Sequence, residues 1–533
     1  MSQARQARIV EAAAVGLFFI QALRAVISAL FGILYDYGFE GSVNARSVGA
    51  VGLMAVAFPA PLFSPRKHTA FALTGAALLA LAARPVLNVN ELMPRYWAGL
   101  VVLAASGMYL AALIRRAPDI VAPSLIVALV LDQVLRALGN TYDLSIRPDF
   151  LSTQVAVSLT LALLALWLFR RRGSPAPSGK SSVTGGLAVG AGLFTLTSLL
   201  TLPNAIARWS DFEYTAIAPV LIAVTCTPLL PPIRNAARQL QSRRSKAGLL
   251  ILLLVGLVIG YRRWGIWSAL GLLAACSVTL CLTRAVAPQD GKPDRTGLGL
   301  TLGLLLLLAF NLALAFSFTY PYALRLMQRM GLPVYLVAGW VTAWRLFSPA
   351  ASFPIVDEQP MPNFEQTRVL ALLAVVIVMA ATFPISVGDH GNVANITAVT
   401  YTIRYGFDNR WRYALEDITP AIEQSGADVV TLQEVDTRRP TSLGTDDVYY
   451  LARRLNMHSY YLPTVERLTG IAVLSRLPIV QAEGRLITSQ QEQTGIVHAQ
   501  LAAINDAGFD FAAFGLGAPS PHVQSRDPVP HTD

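Results

Sequence analysis

The sequence predicts a polytopic α-helical membrane region followed by a smaller α/β domain. Three observations carry this. Of the 533 residues, 54% are hydrophobic and only 14% are charged, and the mean hydropathy is +0.50. A soluble chain of this size has no interior large enough for that much apolar side chain. Apolar stretches of span length recur from the N-terminus to about residue 388. After Gly388 the texture changes to short apolar strands alternating with amphipathic helices, an α/β pattern.

At about 20 apolar residues per span, the first part holds about 13 candidates, near 9–34, 48–64, 69–88, 96–114, 118–138, 152–169, 184–203, 212–231, 247–261, 264–284, 297–318, 331–348 and 368–387. Pro59 and Pro61 interrupt the second, and Pro228, Pro231 and Pro232 end the eighth. The stretch at 171–185, R-R-G-S-P-A-P-S-G-K-S-S-V-T-G, has a flexible-linker composition. With the N-terminus inside, the cytoplasmic loops carry Arg66-Lys67, Arg115-Arg116, Arg170 to Arg172, the Arg234–Lys246 cluster, Lys292 and Arg295. The alternate loops carry fewer basic residues, roughly one for every two inside. The expectation is an integral plasma- or inner-membrane protein with a cytoplasmic N-terminus and everything after residue 387 extracytoplasmic. The formal charge of +10 then reflects loops between spans, and no nucleic-acid partner is expected; membrane lipids are. Cys226, Cys276 and Cys281 all fall in apolar spans without metal-ligand spacing.

Charges inside spans carry meaning. Arg24 lies well inside the first span. Asp132 and Arg136 are spaced i,i+4 on one helix face, close enough to pair. They either neutralise each other and hold helices in register, or line a lipid or substrate cavity.

In the second part, Ile396–Ile403 reads as a strand, Trp411–Ser425 as a helix, Asp428–Leu432 as a buried strand and Asp446–Asn456 as a helix. Short strands follow near Ser459–Leu462, Thr469–Ser475, Ile479–Arg485, Gly495–Ala502 and Phe509–Phe514, and 518–533 is Pro-rich and polar, a disordered tail by composition. The first strand closes on Tyr401-Thr402, and the second on Leu432-Gln433-Glu434. A later stretch reads G-I-A-V-L-S-R-L-P-I from Gly470 to Ile479. These three segments, in this order, resemble the endonuclease/exonuclease/phosphatase (DNase-I-like) superfamily. Joined to many spans, the segment resembles the membrane proteins that remodel GPI-anchor lipids toward ceramide, and their bacterial relatives.

The resemblance implies a DNase-I-like two-sheet sandwich over 392–517, behind a membrane domain at 1–388. It implies that Glu434 holds a catalytic Mg²⁺, in keeping with the oxygen ligands that cation takes. It also marks departures. Thr402 stands where the family has asparagine, with a shorter side chain and one hydroxyl. Gly515 stands where the family has a phosphate-contacting histidine. The family's later Gly-Asp-x-Asn and Ser-Asp-His motifs do not occur before Asp533. An incomplete, catalytically impaired domain with at best weak Mg²⁺ binding is therefore expected, its bare sheet face covered by the membrane region, a protein partner or a second copy. His458 reads as a helix-end residue and His498 as a strand residue; His390, His522 and His531 fall in linker or tail. The expected function is processing of lipid-linked phosphodiesters or lipid remodelling at the extracytoplasmic face. The alternatives are a non-catalytic lipid- or partner-binding protein and, on span count and intramembrane charge alone, a transporter.

Overall fold

The computed structural model describes residues 3–38, 45–171, 180–230, 232–233, 242–283, 294–317, 330–344, 347, 364–384, 387, 396–487, 493–502 and 509–515. The first part is a helical bundle. Its helices are α1 (Gln3–Gly38), α2 (Ala45–Ala57), α3 (Thr69–Ala83), α4 (Leu92–Arg116), α5 (Val121–Leu138), α6 (Leu151–Arg170), α7 (Val183–Thr195), α8 (Pro203–Ser210), α9 (Tyr214–Cys226), α10 (Arg243–Arg262), α11 (Gly265–Thr283), α12 (Thr296–Phe316), α13 (Gly331–Trp344) and α14 (Phe364–Ala381). Among the described residues, nine helices are long and apolar enough to cross a membrane, and three shorter apolar helices accompany them. α2 has 13 residues and gives way to a 3-10 turn at Ala60–Phe63, where Pro59 and Pro61 forbid continuation. The linker expected at 171–185 ends earlier than its composition implies. Ser182 caps α7, its side chain accepting the Gly185 N–H.

Small residues set the closest helix crossings. A Cβ on Gly190 of α7 would lie 1.8 Å from the Gly303 carbonyl oxygen of α12, and one on Gly186 would lie 2.0 Å from that of Gly299. Past α7 the backbone widens into a π-helical turn at Leu196–Leu200, closed by Thr201 N–H donating to the Leu196 carbonyl at 3.0 Å. Gln133 of α5 donates to the Leu200 carbonyl at 2.6 Å.

The intramembrane charges pair differently from the i,i+4 expectation. Asp132 accepts both Nη atoms of Arg24, at 2.8 and 2.7 Å, and Arg24 also donates to Thr201 Oγ1 at 2.5 Å. Arg136, one turn beyond Asp132, instead reaches out of the bundle to the carbonyls of Leu443, at 3.1 Å, and Gly444. A fork of guanidinium N–H groups matches the Asp132 carboxylate of a facing helix better than a partner on the same helix can, so the pair bridges α1 and α5.

The second part comprises β1 (Ala398–Thr402), α15 (Leu415–Gln424), β2 (Val429–Asp436), α16 (Asp447–Leu455), β3 (His458–Val465), β4 (Thr469–Ser475), β5 (Ile479–Ile487), β6 (Thr494–Leu501) and β7 (Phe509–Gly515). Two sheets form, ordered β1-β2-β4-β3 and β5-β6-β7. β1 and β2 are parallel, and β2 pairs antiparallel with β4. Strand alternation divides the side chains between two cores. Val430, Leu432, Ala472 and Leu474 pack against Leu415, Ile418 and Leu451 of α15 and α16. Val429, Ile471 and Val473 pack against Val497 and Leu501 of the second sheet. The four-stranded sheet is thus covered on both faces. Among the described residues of this part, apolar surface is left open on β5, where Val480, Leu486 and Ile487 are exposed.

β2 does not stop at Glu434 as its apolar pattern implies. Its pairing with β4 shifts between Leu432 and Val435 and resumes to Asp436, and Glu434 sits in the shift with φ +52°. Such an irregularity re-aims a side chain without ending the strand.

The two parts meet at the end of the bundle far from the N-terminus. Arg5 pairs with Asp119 at one end of α1. Toward the other end, Phe31 lies 5.6 Å from the Trp411 ring of the second part, roughly 40 Å away at 1.5 Å per residue.

Candidate site at the mouth of the parallel strands

Parallel pairing brings Thr402 opposite Gln433, so the carboxyl ends of β1 and β2 open side by side. The Thr402 hydroxyl donates to Gln433 Oε1 at 3.3 Å, and Gln433 Nε2 donates to Thr400 and Thr431. Thr402 is exposed, but its short side chain is turned along the strand pair. Glu434 is half-buried and makes no hydrogen bond or ion pair among the described residues. Burial pushes its carboxyl above the usual range; the Arg404 and Arg439 guanidiniums pull it back, and Asp436 pushes it up again.

Four non-glycine residues around this mouth are left-handed: Arg404 (φ 48°), Tyr405 (59°), Trp411 (57°) and Glu434 (52°). Such conformations cost about 1–3 kcal/mol each and persist where surroundings over-determine them. Here they do. Arg404 donates to Asn409 at 2.6 Å and stacks over Trp411 at 5.0 Å. Arg439 stacks over Tyr405 at 4.5 Å and Phe31 at 5.7 Å. Two cations and three aromatic rings thus tie the mouth to α1.

Behind Glu434 lies a buried carboxylate group. Asp436 accepts from Arg439 Nε at 2.7 and 2.8 Å and from the Ser442 hydroxyl. Asp447 accepts the Asp436 N–H at 3.1 Å and the Tyr413 hydroxyl at 2.9 Å. Burial, then the charge of Asp436, raises its pKa well above the usual value. Asp446 takes both Nε and Nη2 of Arg208, at 2.7 and 2.9 Å.

The loop from Asp436 to Asp447 is buried along its whole length, although its sequence, D-T-R-R-P-T-S-L-G-T-D-D, reads as a surface turn. A buried loop needs its backbone groups paired, and the bundle pairs them. Arg136 takes the carbonyls of Leu443 and Gly444, and Asn204 those of Thr437 and Gly444 at 2.6 and 3.0 Å. In return Arg438, fully buried, donates to the Ser198 carbonyl in the π-helical turn at 3.1 Å and stacks over Trp209 at 3.8 Å. The β3–β4 hairpin tip docks alongside. Trp209 Nε1 donates to the Glu466 carbonyl at 3.1 Å, and Arg467 donates to the Trp209 carbonyl at 2.7 Å.

Gly515 ends β7, opposite Gly495. Gly495 abuts Leu462, opposite Ile471 in β4, next to the Gly470 that faces Val435. The end of β7 is therefore at the same end of the sandwich as Glu434. His498 lies within β6 opposite Glu483 and Ala512, and His458 begins β3 opposite Ser475. His390, His522 and His531 lie outside the described residues.

The described residues supply Glu434 as a ligand for a hard cation but do not fit a resident Mg²⁺. Among them no group of three His, Cys, Asp or Glu converges. Asp436 is committed to Arg439, and two guanidiniums flank the one free carboxylate. Sequence reasoning names Glu434 and Thr402 but not Arg404, Asp436, Arg439 and Asp447, which the structure sets beside them. The available signal was E-V-D-T-R-R directly on the strand end, with D-D opening the next helix.

Residues 393–518 match the family described as "PGAP2IP, C-terminal nuclease-like domain". The chain is also 37% identical over 115 residues to "Protein cwh43" of Schizosaccharomyces pombe. That match spans 21% of this chain and 12% of the yeast protein. The family match covers the segment carrying the Tyr-Thr and Leu-Gln-Glu motifs, and both similarities agree with the resemblance read from those motifs.

Proposed function

We propose that this chain is a lipid-remodelling membrane protein whose nuclease-like domain handles lipid-linked phosphodiesters at the membrane face. The observation that carries the reading is the fastening of the domain to the bundle. Phe31 of α1 forms one wall of the mouth containing Glu434, so a lipid headgroup at that end of the bundle is within the domain's reach. On this reading the bundle passes the membrane about 13 times, the N-terminus is cytoplasmic and the domain is extracytoplasmic. The described residues support headgroup binding more strongly than chemistry. Glu434 orients a cationic group, Arg404 offers positive charge to a phosphate, and Thr402 and Gly515 supply neither an amide nor an imidazole. Mg²⁺ contact at Glu434 is weak, because one carboxylate leaves the ion largely hydrated. A purely binding role is the second reading, favoured by Arg404 and Arg439 beside Glu434.

The test is a phosphodiesterase assay on the full chain in lipid nanodiscs, with and without Mg²⁺, beside Glu434→Ala and the double variant Thr402→Asn/Gly515→His. The expected result is negligible turnover in the native chain, with headgroup binding reduced by Glu434→Ala. Robust Mg²⁺-dependent turnover that Glu434→Ala abolishes would overturn the impairment. Sidedness is read from Glu423→Cys, an exposed position in α15. Labelling by an impermeant maleimide in intact cells is expected, and labelling only after permeabilisation contradicts the orientation.

A further inference from the structure

The bundle carries a second feature, on its lipid-facing side. α10 and α13 leave between them a groove of about 490 Å³, lined by Leu254, Val255, Val258, Leu336, Val337 and Trp340. Its volume falls in the roughly 300–1,000 Å³ range of small-molecule sites. Its walls are apolar from end to end, so its occupant inside a bilayer is hydrocarbon. The groove lies just below the end of the bundle where the domain docks. Val258 is one turn, roughly 6 Å, below Arg262, and Leu336 is five residues into α13 from Gly331.

The upper rim is cationic. Leu254, Val258 and Arg262 are spaced i, i+4, i+8, so Arg262 stands on the same face of α10 as the groove wall. Arg262 and Arg263 are exposed, and neither side chain makes an ion pair or hydrogen bond among the described residues. The rim is also fixed in place. Arg467, from the domain's hairpin tip, donates to the Arg263 carbonyl at 3.1 Å and stacks on Trp264 at 3.5 Å. Trp264, Ile266 and Trp267 are 51%, 53% and 66% exposed. Exposed tryptophans at a span end mark headgroup level.

We propose that the α10–α13 groove is a binding site for one anionic phospholipid, its acyl chain lying in the groove and its phosphate on Arg262 and Arg263. Apolar area and charge act on one molecule here. The hydrocarbon wall sets the depth, and two unpaired guanidiniums select a negatively charged headgroup over a neutral one. The rim is held by the domain, so the lipid stabilises the docked state of the hairpin tip. The inference is independent of any phosphodiester chemistry at Glu434.

The experiment counts lipids retained by the delipidated full chain in detergent by native mass spectrometry, titrated with phosphatidylglycerol. The comparison lipid is diacylglycerol, and glycerol phosphate without acyl chains serves as the soluble anion. Each surface arginine contributes about fivefold to the affinity for an anionic lipid. One tightly held phosphatidylglycerol is therefore expected, with affinity at least tenfold lower in Arg262→Gln/Arg263→Gln. Val258→Trp, which fills the groove, should remove it. Arg170→Gln/Arg171→Gln, an arginine pair at the end of α6, should change nothing. Equal retention in the Arg262/Arg263 variant and the wild type would overturn the site, as would equal retention of diacylglycerol or a graded shell with no single tight lipid. Retention of glycerol phosphate at the same concentrations would assign the site to a free anion and overturn the acyl component.

Discussion

Asp132 is fully buried and held by both Nη atoms of Arg24. Removing one partner strands a charge in the bundle, which costs about 3–5 kcal/mol, whereas replacing both with apolar groups is often neutral. Arg24→Leu or Asp132→Leu alone should therefore lower the thermal midpoint in detergent sharply, and the double variant should recover most of the loss. A double variant as unstable as the worse single one would show that the pair is not the relevant contact. Glu466 makes a second case. Its Oε1 is buried without a hydrogen-bond partner, and burial pushes its carboxyl up to about 7, with the Gly331 N–H pulling it slightly back. A raised carboxyl contributes stability that is complete below the ordinary range near 4.5 and is lost as pH rises through about 7. Docking of the hairpin tip should therefore weaken as pH rises from about 4.5 to about 7. Glu466→Gln should flatten that dependence in thermal melts of the full chain, and an unchanged slope would remove Glu466 from the account. At this scale the sequence shows which charges are in the membrane but not their partners. Arg24 and Asp132 are 108 residues apart, and i,i+4 geometry favours Arg136 until the fold brings α1 against α5.

Among elements, α7 and α12 approach most closely, through Gly186, Gly190, Gly299 and Gly303. Gly190→Ala places a methyl 1.8 Å from a backbone oxygen, which no rotamer change relieves. The helices must separate, at a cost of more than about 2 kcal/mol. Loss of folded protein on size-exclusion chromatography, absent in Gly248→Ala where nothing lies within 4 Å, would bear this out; a native profile for Gly190→Ala would contradict the crossing. The strands and helices of the domain were legible. β4 matches its expected bounds, and α15, α16 and the remaining strands fall within a few residues of theirs, because each carries a helical or strand-like apolar pattern and is flanked by turn residues. The continuation of β2 past Glu434 was not legible, since a left-handed glutamate leaves no mark in composition. Nor was the burial of Asp436–Asp447. Its polarity reads as solvent exposure, and the carbonyl-binding groups that make it an interior loop lie on α5 and α8, some 200–300 residues away.

For the molecule as a whole, bundle and domain make one structure. Leu468 of the β3–β4 turn belongs to the bundle's core cluster. Among the described residues, Arg438 finds its partners in the π-helical turn, Trp209 and Tyr335. Residues 396–515 expressed alone should expose these groups and lack the carbonyl partners of the Asp436–Asp447 loop, so a soluble, cooperatively folding monomer is not expected. Such a monomer, detected by sedimentation and a sharp thermal transition, would show that the domain is autonomous. The membrane class and the resemblance of residues 393–518 to a nuclease-like family were readable in the sequence because both rest on local pattern. The joining of the two was not, because it rests on contacts between distant segments.

The central claim is that this buried loop fastens the α/β domain into the mouth of the bundle. Hydrogen–deuterium exchange on the full chain in nanodiscs tests it directly. Amides of residues 437–446 are predicted to exchange as slowly as those of β2, and Arg136→Ala with Asn204→Ala should accelerate that segment by at least tenfold while leaving β4 protected. Exchange of 437–446 within seconds in the native chain, at the rate of a free surface turn, would contradict the docked arrangement.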